Sequence, residues 1–303
     1  MMTQSLPLAG VRVLEFTHAV LGPTAGLFLA DFGAEVIRIE PSPHGDHTRR
    51  LKGFGIGFST FLNRNKKSLA LNLKTDEGKE IAHKLLATAD VVVENFGPGT
   101  MERLGFGYEQ LKARYPQLIY CALKGFMPGP YEKRMALDEV VQMMSGLAYM
   151  TGRPGDPLRA GASVVDIMAG MNGVIGILLA LHQRAQTGKG EPVRSTLFES
   201  AVFLMGQHMT YQAISGQPLP PMPARISAWG IYHQFVTADA HRVFIGVTSD
   251  QQWVRFCHAF GQAAWLEDER IATNNGRVAE QSWLLPQIRD MGANEPRGGD
   301  RRL

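Results

Sequence analysis

The stretch VRVLEFTHAVLGPTAGLFLADFGAEVIRIE, residues 11–40, decides the fold. Residues 11–16 and 35–40 are short apolar runs rich in Val and Ile, the composition of strands buried on both faces. Between them GPTAG (residues 22–26) supplies a turn and LFLADFGA (27–34) a helix, so the segment reads as one βαβ unit. The alternation continues with a strand at 68–73, a helix at 76–89 and strands at 90–96 and 118–126. Strands and helices taking turns predict an α/β fold, a parallel sheet covered by helices on both faces.

Beyond that sheet, residues 138–150 read as helical, a loop follows, and a long helix stops at Gly188. Residues 193–215 read as helical, and SGQPLPPMPAR (215–225) as a Pro-rich linker. Residues 231–248 read as an antiparallel hairpin turned at ADAH (238–241). The expected organisation is a large α/β domain over 1–200, a linker over 201–225, a smaller and partial α+β domain over 226–290, and a disordered tail over 291–303, where there is almost nothing to bury.

Net charge is +3 with acids and bases interspersed, which excludes the clustered basic face that nucleic acid requires and points to small substrates. Two cysteines, Cys121 and Cys257, form neither a disulfide framework nor a metal spacing, which fits the cytoplasm. MMTQSLPLAG has no apolar secretion core. The longest apolar run, 167–181, falls short of the ~18 residues of a membrane span, so a buried helix and no membrane are expected.

One acid stands at the mouth of that apolar run. Ser163-x-x-Asp166 matches a capping box, in which Asp166 would also favour the positive end of the helix dipole. Mid-helix glycines each cost about 0.8–1 kcal/mol relative to Ala. Gly170, Gly173 and Gly176 therefore suggest a stripe where a partner helix or a thin ligand comes close. A carboxylate beside such a groove can be a nucleophile towards an activated acyl group.

Other features are less specific. GPTAG is not G-x-G-x-x-G, so neither a dinucleotide site nor Glu40 as a ribose-binding acid has strong support. In NRNKKSLALNLK (63–74), Arg64, Lys66, Lys67 and Lys74 could meet a polyphosphate or only solvent. In VENFGPGTMERLG (93–105), Asn95 and Phe96 end a strand and suit an amide contact and a purine stacking platform. His18 after the first strand reads as structural before it reads as a base. No serine-hydrolase elbow or zinc motif occurs, so no metal is expected.

Taken together, VLEFTHAVLGPTAG (13–26), NRNKKSLALNLKTDEGKE (63–80), DVVVENFGPGTMERLG (90–105), PQLIYCALKGF (116–126) and GASVVDIMAGMNGVIGILLALHQRAQTGKG (161–190) resemble the family III CoA-transferases of the CaiB/BaiF type, the group that contains the formyl-CoA:oxalate enzymes. The resemblance implies a Rossmann-like large domain, a small domain and an interlocked homodimer. It further implies transfer of CoA from an acyl-CoA to a small carboxylic acid, with the CoA thioester as substrate and no resident cofactor. It places the nucleophile on Asp166, which would form an aspartyl anhydride and then an aspartyl-CoA thioester; the helix start suits this, keeping the carboxylate ionised near neutral pH provided the dipole outweighs desolvation.

The resemblance further implies CoA contacts at His18, Val20, Pro41, Leu71, Lys74, Asn95, Phe96, Arg103 and Leu104, with Asp138 and Gly230 as further active-site positions. Val20, Pro41 and Leu137 depart from the formyl-CoA:oxalate pattern and argue against that substrate pair. The related α-methylacyl-CoA racemases carry a histidine where this chain has Leu137, and leucine cannot move a proton. Members of the family run longer than this sequence, so an inactive truncated remnant that only binds CoA stands as another alternative.

Overall fold

The computed structural model describes residues 5–292, in two compact units that divide between Pro223 and Ala224. In the first unit six strands form one sheet: β1 (Arg12–Phe16), β2 (Glu35–Pro41), β3 (Lys67–Leu71), β4 (Val91–Glu94), β5 (Ile119–Lys124) and β6 (Pro192–Thr196). Their order is β3-β2-β1-β4-β5-β6, every pairing is parallel, and Val13 sits opposite Val36 on one side and Val91 on the other. This is the doubly wound order, whose chain reverses direction between β1 and β4.

Nine helices of the first unit are described: α1 (Leu21–Asp31), α2 (Ile56–Leu62), α3 (Asp76–Leu86), α4 (Thr100–Leu104), α5 (Tyr108–Arg114), α6 (Asp138–Met144), α7 (Leu147–Thr151), α8 (Val164–Thr187) and α9 (Leu197–Ser215). Adjacent strand residues serve opposite layers. Val13, Val91 and Val93 enter the core beneath α1, α8 and α9, whereas Leu14, Phe16 and Val92 enter the core with Ala82, Met101 and Leu111 of α3, α4 and α5. Both faces being covered explains why apolar residues fall at adjacent strand positions, since burying each such side chain contributes about 1.5–3 kcal/mol.

Helix α8 is the spine of one layer and touches α1, α6, α9, β5 and β6. By length and composition it could also cross a membrane; here it lies against a sheet. Its glycines face protein. A Cβ at Gly170 would lie 2.8 Å from the Leu21 carbonyl oxygen, one at Gly173 2.7 Å from Leu123, and one at Gly176 2.5 Å from Val193. The small-residue stripe is therefore clearance for α1, β5 and β6, and no room for a ligand arm.

The structure corrects several expectations. Residues 192–196, read from 193 on as helix, form edge strand β6, which buries only Ser195 and Thr196 and so carries little hydrophobic signal. The helix expected over 138–150 breaks at Gly146, whose φ of 86° glycine adopts without strain. Helix α9 bears out the helical reading of 193–215 from Leu197 on, with Ala201 and Met205 buried in the first unit, so the linker expected over 201–225 is left only the residues after Ser215. GPTAG lies inside α1, which starts at Leu21.

The second unit holds a hairpin, β7 (Ile231–Val236) and β8 (Arg242–Val247), with α10 (Asp250–Ala259), α11 (Asn274–Ala279) and α12 (Gln281–Gly292). Its own core gathers Ile231, Phe235, Trp253, Phe256, Leu284 and Ile288. Of the expected tail, residues 291 and 292 end α12, and 293–303 lie outside the described residues.

The fit of α1 against β1 is directly testable. A Cβ at Gly26 would sit 1.8 Å from a Glu15 carboxylate oxygen, whereas one at Gly57 meets nothing within 4 Å. Gly26→Ala should cost about 1–3 kcal/mol in urea unfolding, the usual cost of overpacking. Gly57→Ala should be neutral or slightly stabilising; equal effects would contradict this packing.

Candidate active site

Open parallel sheets bind ligands at the carboxyl ends of the strands, where the winding reverses. Here that place lies between the end of β1 and the end of β4, and one side chain joins the two. The His18 amide donates to Asn95 Oδ1 at 2.9 Å, and Asn95 Nδ2 donates to the His18 carbonyl at 3.0 Å. Each bond contributes about 0.5–1.5 kcal/mol, and together they fix the two loop ends in register. Between His18 and α1 the backbone of Ala19 turns through a φ of 60°, a conformation a non-glycine residue adopts at some cost.

Below this joint lies a buried ionic cluster. Arg38 bonds Asp46 and donates to the Thr17 carbonyl, and Lys66 reaches Glu15 at 2.8 Å. Glu40 takes two bonds from Arg49, one from Ser68 and one from the Asp46 amide. The Arg49 bonds above all hold the Glu40 carboxyl down at about 2. Glu40 is thus engaged by protein and is no ribose acceptor. Of the basic residues in 63–74, Arg64 pairs with Asp31, Lys67 with Glu35 and Lys66 with Glu15, which leaves Lys74 at the ligand side.

The cavity at the joint has a volume of 660 Å³ and a mixed lining. His18, Pro41, Leu71, Lys74, Phe96 and Leu104, six of the nine positions that the sequence resemblance marked for CoA, line it. The His18 and Phe96 rings stack with centroids 5.8 Å apart and planes 15° from parallel. Burial in the first place lowers the His18 pKa, so the imidazole is neutral near pH 7, and its buried Nδ1 has no partner among the described residues. Lys124 at the end of β5 fixes the Phe96 platform by donating to its carbonyl at 2.7 Å while pairing with Glu94. Flat rings, apolar Leu71 and Leu104 and a cationic edge at Lys74 suit a purine nucleotide.

The other three positions stand apart. Asn95 is the joint itself, and Arg103 donates to Thr100 on its own helix. Val20 packs with Leu27 and Leu62 in an apolar cluster that Ile167 and Phe58 complete. That cluster sets the start of α8, and so Asp166, next to the start of α1. Gly230 lies in the second unit, where its amide bonds Asn274 and its Cα faces Arg277 so closely that a Cβ would lie 2.3 Å away. Close packing requires glycine there.

Asp166 differs from its sequence expectation in two ways. Ser163 makes no side-chain cap, so the capping box does not form. The carboxylate of Asp138, on α6, caps α8 instead, accepting from the amides of Val165 at 2.9 Å and Asp166 at 3.0 Å. Asp166 is half-buried, and desolvation first, then the charge of Asp138, raise its pKa to about 7, with Arg159 pulling the other way. It is therefore only partly ionised near neutral pH, because desolvation outweighs the helix dipole.

Asp46, His47, Arg50 and Gln142 were not singled out from sequence. PHGDHTRR (43–50) shows only a polar loop, and nothing local announces that it folds over the cavity.

A sequence model of CoA-transferase family III matches residues 8–298. The chain belongs to this family. It is 37% identical to the succinate–glutarate CoA-transferase of Agrobacterium fabrum over 91% of this chain and 72% of that protein. It is 36% identical to the succinyl-CoA–D-citramalate CoA-transferase of Chloroflexus aurantiacus, over 92% and 71%. A CaiB/BaiF family protein of Brucella suis has the same fold, with a TM-score of 0.82 and 34% identity over 97% of this chain and 80% of that one. The chain is thus a family III CoA-transferase, an enzyme whose substrates are CoA thioesters.

A carboxyl whose folded-state pKa lies above its unfolded value of 3.8 binds its proton more tightly in the native state, so it costs stability as pH rises. That cost grows between about pH 4 and 7 and is complete above. Asp166→Asn removes it and should raise the melting temperature at pH 8 by on the order of 2–4 °C, with a smaller gain at pH 4. A gain independent of pH would show that Asp166 has an ordinary pKa.

Proposed function

We propose that this enzyme carries CoA from a dicarboxylic acyl-CoA to a dicarboxylate by covalent catalysis on Asp166. The observation that carries this reading is a half-buried carboxylate with a raised pKa, with no hydrogen-bond donor to it among the described residues, beside the joint that builds the purine-shaped cavity. An Asp166 oxygen attacks the thioester carbonyl, the C–S bond breaks, and a mixed anhydride forms with release of the CoA thiolate. The thiolate attacks the aspartyl carbonyl, giving the aspartyl-CoA thioester and freeing the donor acid. The acceptor carboxylate then attacks that thioester, and the thiolate returns to the acceptor's carbonyl, which regenerates Asp166. No electrons are exchanged with a redox centre and no net proton is consumed.

His18, Phe96, Pro41, Leu71 and Leu104 would hold the nucleotide, with Lys74 and Arg103 towards its phosphates. The names of the two relatives, both transferring from or to succinate, favour four- to five-carbon dicarboxylates. Leu137 supports transfer over racemisation, since no proton-carrying group stands there.

A homodimer accords with the surface. Met171, Ile175, Leu178 and Leu179 form an exposed apolar stripe on α8, and Phe203 and Ile214 of α9 are 78% and 82% exposed. Buried, free Cys121 and Cys257 accord with the cytoplasm.

Incubation with succinyl-CoA followed by hydroxylamine should leave a hydroxamate on Asp166, detected by peptide mass. Asp166→Asn should lose at least about 1,000-fold in transfer between succinate and glutarate. A folded Asp166→Asn protein with undiminished transfer, or deuterium uptake at the α-carbon of a branched acyl-CoA without transfer, would overturn this assignment.

A further inference from the structure

The N-terminus of α8 presents free amides beside Asp166, and such amides ordinarily stabilise a nearby anion. In this enzyme they are already taken. Asp138 Oδ2 accepts from both Val165 and Asp166, while Asp138 Oδ1 accepts from Gln142 Nε2 at 2.6 Å. Gln142 is fully buried, and its Oε1 accepts from the Ala160 amide at 2.8 Å, which ties down the segment leading into α8. Asp138 is itself 8% exposed and lies outside the cavity lining.

Resting on the reading of Asp166 as nucleophile, we propose that Asp138, clamped by Gln142, is a positioning residue: it occupies the helix amides in place of Asp166 and sets how basic the nucleophile is. A carboxylate denied those donors keeps its lone pairs for a proton or for an acyl carbon. The like charge of Asp138 acts in the same sense. Arg159 opposes it, lying 3.7 Å from Asp138 and equally far from Glu139.

The charged groups of the other elements against α8 are committed elsewhere. Asp31 of α1 pairs with Arg64, Lys124 of β5 with Glu94, and Arg194 of β6 with Glu132, while Glu199 of α9 bonds Thr196. The buried Cys121 thiol of β5 is pushed up by burial and remains neutral. Burial is the largest cause of the raised Asp166 pKa; of the charged groups, Asp138 adds to it and Arg159 opposes it.

Two variants of the full-length enzyme test this by kcat/KM against pH, whose acid limb reports the free enzyme's nucleophile. Asp138→Asn keeps an acceptor for the amides and removes the charge, so the limb should move down by about one pH unit. Arg159→Met, at a half-buried position that leaves the amides untouched, should move it up. A carbon-13 titration of the Asp166 carboxyl in the absence of substrate should show the same two shifts, and affinity for CoA alone, read by calorimetry, should be unchanged in both. If Asp138→Asn does not fold, the upward shift in Arg159→Met and the carbon-13 titration still decide. A uniform fall in rate with an unmoved limb would show that Asp138 only caps a helix, and the proposal fails. Loss of the hydroxamate on Asp166 in the wild type would instead sink the nucleophile assignment, whatever the limb does.

Discussion

The position of α8 depends on how closely it can approach its neighbours. Three glycines let the helix lie against α1, β5 and β6 at distances no side chain tolerates, and each costs helix propensity that only this contact offsets. Since Asp166 sits in the first turn, the seating of the helix on the sheet also seats this carboxylate, the nucleophile of the proposed reaction. The sheet supplies the counterpart: β1 ends at the joint with Asn95, α1 starts a few residues later, and Val20 of that start shares an apolar cluster with Ile167. Cavity and carboxylate are thus placed by the same packing, although Asp166 is not among the residues that line the cavity.

Charge burial beneath the joint obeys a related constraint. Isolated ions inside a protein cost several kcal/mol each, and breaking one member of a pair leaves the other uncompensated. Glu15, Arg38, Glu40, Asp46 and Lys66 are all nearly inaccessible, and each faces an opposite charge. The cluster runs from β1 through β2 to the 43–50 loop and Lys66 at the start of β3. It therefore ties the loop that folds over the cavity to the strands beneath it, and Arg38 also reaches the Thr17 carbonyl on the way to His18. Substrate binding surfaces built on such a base need little reorganisation.

The sheet was legible because burial on both faces puts Val, Ile and Leu at adjacent positions of β1, β2, β4 and β5, even where Glu15, Arg38 and Glu40 interrupt them. β6 was not, because an edge strand with two buried residues has no such pattern. Asp166 stood out as one charge at the edge of a long apolar segment, and six of the sixteen cavity residues, His18, Pro41, Leu71, Lys74, Phe96 and Leu104, came from the family resemblance. What remained hidden was pairing across the chain. No local pattern says that Asp138, rather than Ser163, caps α8, that Arg64, Lys66 and Lys67 are consumed by acids dozens of residues away, or that Gly230 fits against Arg277. The identity of a residue shows its chemistry, whereas its partner depends on the tertiary fold.

That distinction matters most at Asp166. By sequence alone an acid in the first helical turn should be strongly ionised and correspondingly inert, since amides that stabilise a carboxylate also reduce its tendency to share electrons. In the folded chain the donors are spent on Asp138 and water is partly excluded, so Asp166 is poised at about 7. Substrate acids in water have ordinary carboxylate pKa values near 4, and in a Brønsted sense they are the weaker nucleophiles. In the proposed reaction, partial protonation near neutrality would cost only a fraction of the active form, and the ionised fraction would be a stronger nucleophile than the solvated carboxylates it exchanges with.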